Sequence, residues 1–400
     1  MLSYHSSPLA SLGGKTTGGM NVTVRELSRQ LGALGHQVDI FTRATAGHAD
    51  GQIEPLGEGV RVIALAAGPQ AELDRRALAE HIPAFTARLL QFAASEGGAY
   101  DLIHCHYWMS GLVGLELKAA WGAPMLLMMH TLGLVKSRIA ALGEQESRQR
   151  IAAERRALAA ADRVIAATPA EQADLQWLYE VRTLQISVIP PGVDQALFRP
   201  LPQREARRAL SISADANLLL YVGRIEAAKG VHNLILAAHQ LAIASPARSQ
   251  KLLVQIVGGE APDEELERLM RLGAELGLAE RVEFLGRRPQ AELPRHYAAA
   301  DVVVVPSYFE SFGMVALEAM ACARPVLASR VGGLAYLVQD GVTGYHVAEG
   351  DVKGLATRLE ELLGDQALLS QLGANGPRVA ADYSWAATAR RTDALYRQLA

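Results

Sequence analysis

Two glutamates in one short segment have the most informative spacing in the chain. Glu310 and Glu318 have seven residues between them, and both follow the apolar run Val302–Val305, which is typical of a buried strand. We expect Glu310 in the loop after this strand and Glu318 in the second turn of a helix that begins near Gly313. Carboxylates accept hydrogen bonds from sugar hydroxyls, and N–H groups at a helix start bind phosphate oxygens. The segment therefore predicts a site for a molecule that has both groups.

A purely structural role is the alternative for these two residues. Glu310 could cap the helix, and Glu318 could be a charge on its outer face. However, Glu318 lies between Leu317 and Ala319 in an otherwise apolar helix, where an unpaired buried carboxylate is costly. This position favours the binding interpretation for Glu318.

A pair of cations follows an earlier predicted strand. The run Leu218–Val222 is followed by Arg224, and Lys229 comes five residues later, where the next helix opens. Ligands of open α/β sheets bind at the carboxyl edge of the strands, so two cations there suit a diphosphate. The alternative is a pair of solvated surface charges.

The glycine-rich segment Gly13–Asn21 leads directly into a predicted amphipathic helix. Its glycines, Gly18 and Gly19 among them, allow a ligand to approach the backbone closely. The helix start adds unpaired N–H groups and a partial positive charge. The segment is therefore a candidate anion site, and a flexible turn is the alternative.

Several common catalytic motifs do not occur. The sequence has no G-x-G-x-x-G fingerprint, no Walker A motif and no D-x-D motif that could hold a metal-bound nucleotide sugar. His104 and His106 flank Cys105 at the end of a predicted strand, where alternate residues share a face and could form a metal pair. No third ligand is in view, so we predict no metal site.

The elements that must position these residues alternate along the chain. Short apolar runs, which fit strands buried on both faces, are separated by longer helical patterns, and this alternation predicts an α/β fold with parallel sheets. The runs are Val38–Thr42, Val60–Leu65, Leu102–Cys105, Met125–Met129, Val164–Ala167, Ser187–Ile189, Leu218–Val222, Leu252–Val257, Val282–Leu285, Val302–Val305, Pro325–Ala328 and Gly344–Val347.

One stretch divides these elements into two similar halves. The chain of 400 residues is long enough for two or three domains, and the proline-rich stretch from Pro190 to Pro200 interrupts regular structure near its middle. We therefore predict two Rossmann-like domains that face a central cleft.

Composition excludes several classes of protein. The net charge is −3, from 39 basic and 42 acidic residues, so we expect no nucleic-acid partner. No apolar run approaches the ~18 residues of a membrane span, and no signal peptide opens the chain. The two cysteines, Cys105 and Cys322, lie in apolar stretches, which favours core thiols in a reducing cytoplasm.

These motifs together resemble a known family. Glu310 and Glu318 match the E-x7-E motif of the retaining GT-B glycosyltransferases of family 4. Further family motifs follow in order along nearly the whole chain: Gly18–Asn21, His104–Trp108, His130–Leu132, Arg224 with Lys229, and Val331–Gly333. The segments His5–Leu9 and Gly18–Asn21 resemble the branch that contains D-inositol-3-phosphate glycosyltransferases and sucrose-phosphate synthases.

The resemblance implies a domain for each substrate. Residues 1–195 would form an acceptor-binding domain, residues 196–382 a domain that binds the nucleotide sugar, and residues 383–400 a helix that crosses back to the first domain. The donor would be a nucleotide diphosphate sugar, with UDP expected from the branch. No further cofactor would be required.

The resemblance also implies roles for individual residues on the donor side. Arg224 and Lys229 would hold the diphosphate with the backbone of Gly18 and Gly19, Glu318 would bind the ribose hydroxyls, and the Arg288 backbone would bind the base. The remaining donor-side residues would surround the sugar: Glu310, Ser311, Phe312, Gly313, Met314 and, beside the reacting carbon, His130. Of these residues, His130, Arg224, Lys229 and Glu310 are the expected catalytic group.

The acceptor pocket of this branch binds a phosphate. Asn21, Tyr107, Thr131 and Arg150 fall near the matching positions, although Arg148 leaves the register of Arg150 open by one residue. Arg75 occupies the position of the family's usual lysine and offers a planar fork in place of a point charge. This departure leaves the acceptor's identity open.

The implied reaction is transfer of a glycosyl group to a hydroxyl of a small sugar or cyclitol phosphate, with retention at the anomeric carbon. Two alternatives stay open on the sequence: a nucleotide-sugar epimerase of the same fold, and a membrane-surface glycosyltransferase with a lipid acceptor. The latter would use the basic stretch Arg148–Arg163. The sequence also leaves open whether the enzyme forms a homodimer.

Overall fold

The structure is a computed structural model that describes residues 1–10, 17–47, 49–71, 73–139, 146–246, 250–259 and 263–399. Part of the candidate anion loop, Gly13–Thr16, lies outside the described residues. Its second part, Thr17–Asn21, is described and leads into the first helix.

The first half of the chain alternates strands and helices, as the sequence predicts. Each apolar run named above overlaps a strand, as expected when continuous apolar side chains are buried on both faces of a parallel sheet. The strands are β1 (Val38–Arg43), β2 (Ile53–Gly57), β3 (Val60–Leu65), β4 (Ile103–His106), β5 (Met125–Met128), β6 (Arg163–Ala166) and β7 (Ile186–Val188). The helices are α1 (Gly19–Ala33), α2 (Arg75–Glu80), α3 (Ile82–Ser95), α4 (Tyr107–Trp121), α5 (Gly133–Lys136), α6 (Arg148–Ala160) and α7 (Pro169–Tyr179).

The residue Leu2 connects two groups of strands in this half. The strand orders are β1-β3-β2 and β4-β5-β6-β7. Leu2 makes parallel bridges to both Phe41 of β1 and Cys105 of β4, so it takes the place of a short strand between the two groups. The first half is therefore one doubly wound layer whose order reverses at Leu2.

The strand β2 was missed by the sequence analysis. It pairs antiparallel to β3 at the edge of the sheet and contains Pro55, which cannot donate a ladder hydrogen bond. Most of its residues are exposed or half-buried, so it lacks the continuous apolar run that identifies the other strands.

The second half forms a six-stranded parallel sheet. Its order, β10-β9-β8-β11-β12-β13, is that of a classical doubly wound dinucleotide-binding fold. The strands are β8 (Asn217–Val222), β9 (Leu252–Val257), β10 (Val282–Gly286), β11 (Val302–Val305), β12 (Val326–Ser329) and β13 (Gly344–Val347). The helices are α8 (Gln203–Ala209), α9 (Val231–Ala244), α10 (Glu264–Glu275), α11 (Leu293–Ala299), α12 (Met314–Ala321), α13 (Leu334–Leu337), α14 (Val352–Gly364), α15 (Gln366–Ala380) and α16 (Trp385–Tyr396).

The C-terminal helix α16 packs against the first half. Its Tyr396 hydroxyl lies 2.7 Å from His104 Nδ1 of β4, and Asp393 Oδ1 lies 2.8 Å from His36 Nε2 after α1. One buried apolar cluster includes residues of both sheets and of this helix. The boundaries at residues 195 and 382 stay predictions, which this packing supports.

Candidate active site

The order of the strands in the two sheets locates the site. In a doubly wound sheet, ligands bind beyond the carboxyl ends of the strands where the order reverses. In the first half these ends belong to the Leu2 segment and β4, and in the second half to β8 and β11. The loops that follow contain Ser6, Arg224 and Glu310, and His106 is the last residue of β4, so most motifs singled out in the sequence lie at these two reversal points.

The predicted diphosphate cations lie at the carboxyl end of β8, and each is paired with a carboxylate. Lys229 Nζ donates to Glu310 Oε2 at 2.7 Å, and Arg224 Nη1 lies 2.6 Å from Glu226 Oε1. Gly230, which follows Lys229, has φ 63°, and a Cβ there would lie 2.1 Å from the Pro306 carbonyl oxygen. Glycine at this position lets the start of α9 approach the loop after β11.

The loop after β11 is shaped by close glycine contacts. Gly313 precedes α12 with φ 105°, as expected for a residue that must turn the chain into the helix. Gly333 donates its N–H to the Glu310 carbonyl oxygen at 2.9 Å, and a Cβ on Gly332 would lie 2.0 Å from that oxygen. The two glycines of the Val331–Gly333 motif therefore hold the backbone of Glu310 in place.

Glu318 lies in the second turn of α12, as predicted, and is almost fully buried. The Tyr297 hydroxyl donates to its Oε2 at 2.6 Å. Burial raises the pKa of the Glu318 carboxyl to about 7, and hydrogen bonds from Tyr297 and Gln290 oppose that rise. The carboxyl is thus partnered, and it titrates near neutral pH.

Four contacts join the two halves at this site. A Cβ on Gly18 would lie 3.9 Å from Arg224 Nε, and one on Gly19 would lie 3.4 Å from Met314 Cγ. Ser311 Oγ donates to the His130 carbonyl oxygen at 2.5 Å. Arg25 Nη2 of α1 donates to Gln290 Oε1 at 2.6 Å. The start of α1 and the segment after β5 therefore face the donor-side loops.

His130 occupies a strained backbone position where the two halves meet. It follows β5 with φ 59°, a left-handed conformation that is uncommon outside glycine. Its Nε2 lies 2.9 Å from His106 Nδ1, and the two rings stack. Burial lowers the pKa of His130 to about 3, so its imidazole is neutral at physiological pH. It can donate or accept a hydrogen bond, but it does not supply a positive charge.

Three of the predicted acceptor residues, Tyr107, Thr131 and Arg150, form one cluster. Arg150 donates from Nη2 to Thr131 Oγ1 at 3.2 Å, and its guanidinium lies 5.3 Å from the centre of the Tyr107 ring. Its Nε donates to Glu154 Oε1 at 2.7 Å. The side chain of Arg150 is 3% exposed and that of Glu154 is 0% exposed. These contacts favour Arg150 over Arg148 for the predicted position, and Glu154 holds its guanidinium.

Three members of this cluster, Glu146, Glu154 and Lys136, were missed by the sequence analysis. Glu146 Oε1 accepts from Arg150 Nη1 at 2.6 Å and from Lys136 Nζ at 3.0 Å, and Arg75 Nη1 lies 4.0 Å from the same oxygen. A spacing signal was present, because Glu146 and Glu154 each lie four residues from Arg150. Nothing in the sequence places Lys136 beside them.

His5 also belongs to the acceptor side and was not selected as a site residue. Its ring lies 4.5 Å from that of Tyr107. Burial, then the nearby charges of Arg75 and Arg150, lower the pKa of His5 to about 3. The ring is therefore a neutral wall of this pocket.

Two predicted site residues are engaged elsewhere. The Asn21 side chain accepts from Gly18 N at 2.9 Å and donates to Ser6 Oγ and the Ser7 carbonyl oxygen at 2.6 and 2.8 Å. It thus fixes the N-terminal loop on α1. Arg288 donates from Nη1 to the Arg287 carbonyl oxygen, which leaves its backbone as the group for the predicted base contact.

The stretch Arg148–Arg163 does not present its arginines as one basic face. Arg150 is buried in the acceptor cluster, Arg155 donates to the Leu178 carbonyl oxygen, and Arg156 lies 3.6 Å from Glu116. Among the described residues, no helix is long and apolar enough to cross a membrane, and no group of three metal-ligating side chains occurs.

Two doubly wound domains that meet at their reversal points, with cations on both sides, define the class of GT-B glycosyltransferases. Family models agree: residues 18–192 match the glycosyl transferase 4-like domain, and residues 202–379 match the glycosyl transferases group 1. The chain belongs to the group 1 glycosyltransferases. Enzymes of this group use a nucleotide sugar as co-substrate, as the sequence predicts.

Individual relatives narrow the similarity further. The chain is 44% identical to D-inositol 3-phosphate glycosyltransferase 2 of Catenulispora acidiphila, over 99% of this chain and 93% of the relative. It is 42% identical to D-inositol 3-phosphate glycosyltransferase of Frankia alni, over 98% and 97%. The solved structure of sucrose-phosphate synthase from Thermosynechococcus elongatus is similar with a TM-score of 0.92 and 37% identity, over 100% of this chain and 98% of that one.

Proposed function

We propose that the enzyme transfers a glycosyl group from a UDP-sugar to a hydroxyl of a small phosphorylated acceptor, a sugar or cyclitol phosphate, with retention at the anomeric carbon. One observation carries this proposal: Arg75, Lys136 and Arg150 converge on Glu146 Oε1 in the first half, and the cations Arg224 and Lys229 lie beyond the carboxyl end of β8 in the second half. The names of the relatives, which include acceptors of this type, support the same conclusion.

The donor side would stabilise the leaving group. As the bond between the anomeric carbon and the diphosphate breaks, negative charge gathers on the diphosphate oxygens. Arg224 and Lys229 are positioned to neutralise that charge, and the N-terminus of α1 adds backbone N–H groups. For this, Lys229 must leave Glu310, whose carboxylate then becomes available to the hydroxyls of the donor sugar.

The acceptor hydroxyl would attack from the face that the diphosphate leaves. The new bond joins the acceptor oxygen to the anomeric carbon, and the hydroxyl proton passes to an oxygen of the leaving diphosphate. His130 is neutral and held by Ser311 and His106, so it orients the donor sugar through a hydrogen bond and does not act as the base. Resemblance to the family supports retention and the choice of UDP.

The acceptor side would fix the reacting hydroxyl by binding its phosphate. Arg150 offers a planar fork, Lys136 a point charge and Thr131 a hydroxyl, and together they suit the oxygens of a phosphate monoester. Anchoring the acceptor by a group away from the reacting hydroxyl lowers the entropic part of the barrier.

A substrate matrix tests the proposal. UDP-, GDP- and ADP-sugars are combined with sugar and cyclitol phosphates and with the same acceptors after removal of the phosphate, and nucleotide release is measured. We expect release only with a UDP-sugar and a phosphorylated acceptor, and an NMR spectrum of the product with the donor's anomeric configuration. Equal release with dephosphorylated acceptors would refute the acceptor class, and an inverted product would refute retention.

The substrate matrix also tests the epimerase alternative, and vesicle binding tests the membrane-surface alternative. An epimerase would convert the donor without any acceptor, and membership of the group 1 glycosyltransferases does not support it. A membrane-surface enzyme would bind anionic vesicles, which the scattered partners of the α6 arginines do not favour. A cytoplasmic location and a homodimer stay predictions, to be checked by fractionation and by light scattering.

A further inference from the structure

Three cations share a single carboxylate oxygen in the acceptor pocket. Glu146 Oε1 lies 2.6 Å from Arg150 Nη1, 3.0 Å from Lys136 Nζ and 4.0 Å from Arg75 Nη1. These cations come from α2, α5 and α6, so three separate elements aim positive charge at one point. A point that attracts three cations is an anion site, and a side chain of the enzyme occupies it.

Glu154, the other carboxylate of this cluster, is held quite differently. It accepts from Gly133 N at 3.0 Å, from Arg150 Nε at 2.7 Å and from the Tyr179 hydroxyl, and its side chain is 0% exposed. Each of its oxygens is therefore satisfied inside the protein. Glu154 is a permanent partner that positions Arg150 and leaves the outer edge of the guanidinium for another anion.

Among the residues that the structure describes, Glu146 has no comparable internal anchor for its carboxylate. Its backbone N–H donates to Ser137 Oγ at 3.0 Å, but all three partners of Oε1 are the pocket cations. Its side chain is 19% exposed, so rotation about its own bonds can carry the carboxylate towards solvent. The carboxylate can leave without disturbing the backbone.

The charges of the pocket fit this exchange. Three cations face two carboxylates while Glu146 is in place, and once it leaves, the remaining charge is two units positive. A phosphate monoester carries nearly two negative charges at neutral pH, and a carboxylate carries one. Burial raises the pKa of Glu146, but Arg150, Lys136 and Arg75 lower it below its ordinary value, so Glu146 is ionised there.

We propose that Glu146 is an internal competitor that occupies the phosphate subsite of the empty enzyme and is displaced by the phosphate of the acceptor. The inference rests on the proposed function, because it concerns the same acceptor site. Displacement makes Glu146 a specificity-determining residue. A dianionic phosphate brings more negative charge to the three cations than the Glu146 carboxylate that it replaces. A monoanionic or neutral acceptor brings no additional negative charge. The apparent Kd for the phosphate is the intrinsic Kd divided by the fraction of enzyme in which Glu146 is displaced.

The variant Glu146→Gln tests the competition directly, with inorganic phosphate at pH 8 as the probe. Gln keeps the size of the side chain and removes its charge. If Glu146 is docked in about nine molecules of ten, the variant binds phosphate about tenfold more tightly in a calorimetric titration. The matched control is Glu265→Gln on α10, which neutralises a paired glutamate of similar exposure, 22% against 19%, and it should bind phosphate as the wild type does.

A second variant, Glu146→Ala, removes the carboxylate in a different way. The acceptor KM and kcat of both variants are then measured as an independent test of the proposal. Both variants should lower the KM for the phosphorylated acceptor, so the change should fall on acceptor KM more than on kcat. Phosphate binding that is unchanged or weaker in both folded variants would overturn the inference. So would an equal tightening in the Glu265→Gln control.

The result is separable from that of the proposed function. If the wild type transfers only to phosphorylated acceptors while the Glu146 variants bind phosphate no better, the inference alone fails. If the variants bind phosphate more tightly while transfer ignores the acceptor's phosphate, the anion site stands and the proposed acceptor class fails.

Discussion

The donor side and the acceptor side of the site both pair cations with carboxylates, but they differ in the number of cations that share a carboxylate. On the donor side each cation has a carboxylate of its own, as in Lys229 with Glu310. These two side chains are 17% and 21% exposed. On the acceptor side three cations surround Glu146, and Arg150 is almost fully buried.

This difference suggests different tasks. A partly exposed pair with one charge on each partner costs less to open than a fully buried pair, because solvent replaces part of the interaction that the pair loses. A buried cation is costly to leave without a partner, so Arg150 keeps Glu154 permanently and exchanges only its outer partner. Under the proposed function, the donor side would open and close around a diphosphate, and the acceptor side would exchange one anion for another.

The largest expected effect comes from the donor side. Lys229→Ala removes a charge that faces the developing diphosphate, and loss of one such group typically lowers turnover by about 10²–10³-fold. The measurement is kcat with saturating acceptor, with circular dichroism to verify the fold. Lys251→Ala is the control, since Lys251 pairs with Asp215 on the exposed surface of the same half. Near-normal turnover in Lys229→Ala would contradict the assignment.

The second-largest expected effect is a loss of acceptor binding without a loss of nucleotide binding. Arg150→Met removes a buried, charged hydrogen-bond donor from the acceptor pocket, where such bonds contribute about 1.5–3 kcal/mol. We expect kcat/KM for the phosphorylated acceptor to fall by about tenfold to a hundredfold, while nucleotide affinity stays unchanged. Arg156→Met, on the exposed face of the same helix, is the matched control. A loss of nucleotide affinity equal to the loss for acceptor would erase the distinction between the sides.

The donor side and the acceptor side also differ in how far the sequence predicts them. The donor groups Arg224, Lys229 and Glu310 each follow a buried strand within a few residues, so strand–loop–helix units predict their position without a structure. The strands were predictable for the same reason, because continuous apolar runs identify them. The edge strand β2 has no such run and was missed.

The acceptor side depends on packing that no local pattern contains. Lys136 and Arg75 are 61 residues apart in the chain, and both reach Glu146 only because α2, α5 and α6 come together in the folded domain. Resemblance to a family located Arg75, Thr131 and Arg150 but gave no reason to select Lys136 or Glu146. Their role follows from distances alone.

A pH experiment compares buried carboxyls in the two halves. Burial raises the pKa of Glu318 and of Glu171 to about 7, above the ordinary value of 4.5. The folded state therefore holds protons that the unfolded state has lost, and the free energy of unfolding contributed by each group falls as pH rises from about 4.5 to about 7. Glu318→Gln and Glu171→Gln should each reduce this fall in urea unfolding curves between pH 5 and 8.

Nucleotide binding then distinguishes the two carboxyls. Glu318 lies at the donor side, so Glu318→Gln should weaken binding of UDP, whereas Glu171 accepts from Ala167 N in the first half and its variant should bind UDP normally. An equal loss of UDP affinity in the two variants would contradict the placement of Glu318 at the donor side. A pH dependence of unfolding that is unchanged in both variants would contradict the raised pKa of the two carboxyls.

The smallest expected effect concerns Arg75, the residue that departs from the family's lysine. Its side chain is 50% exposed, and its Nη1 lies 4.0 Å from Glu146 Oε1, at the limit of an ion pair. An exposed pair contributes at most about 1 kcal/mol, so Arg75→Lys should change acceptor KM by less than about fivefold. A larger change would mean that Arg75 closes onto the bound acceptor. The acceptor side would then rearrange on binding as the donor side does, and the contrast between an opening pair and an exchanging one would not hold.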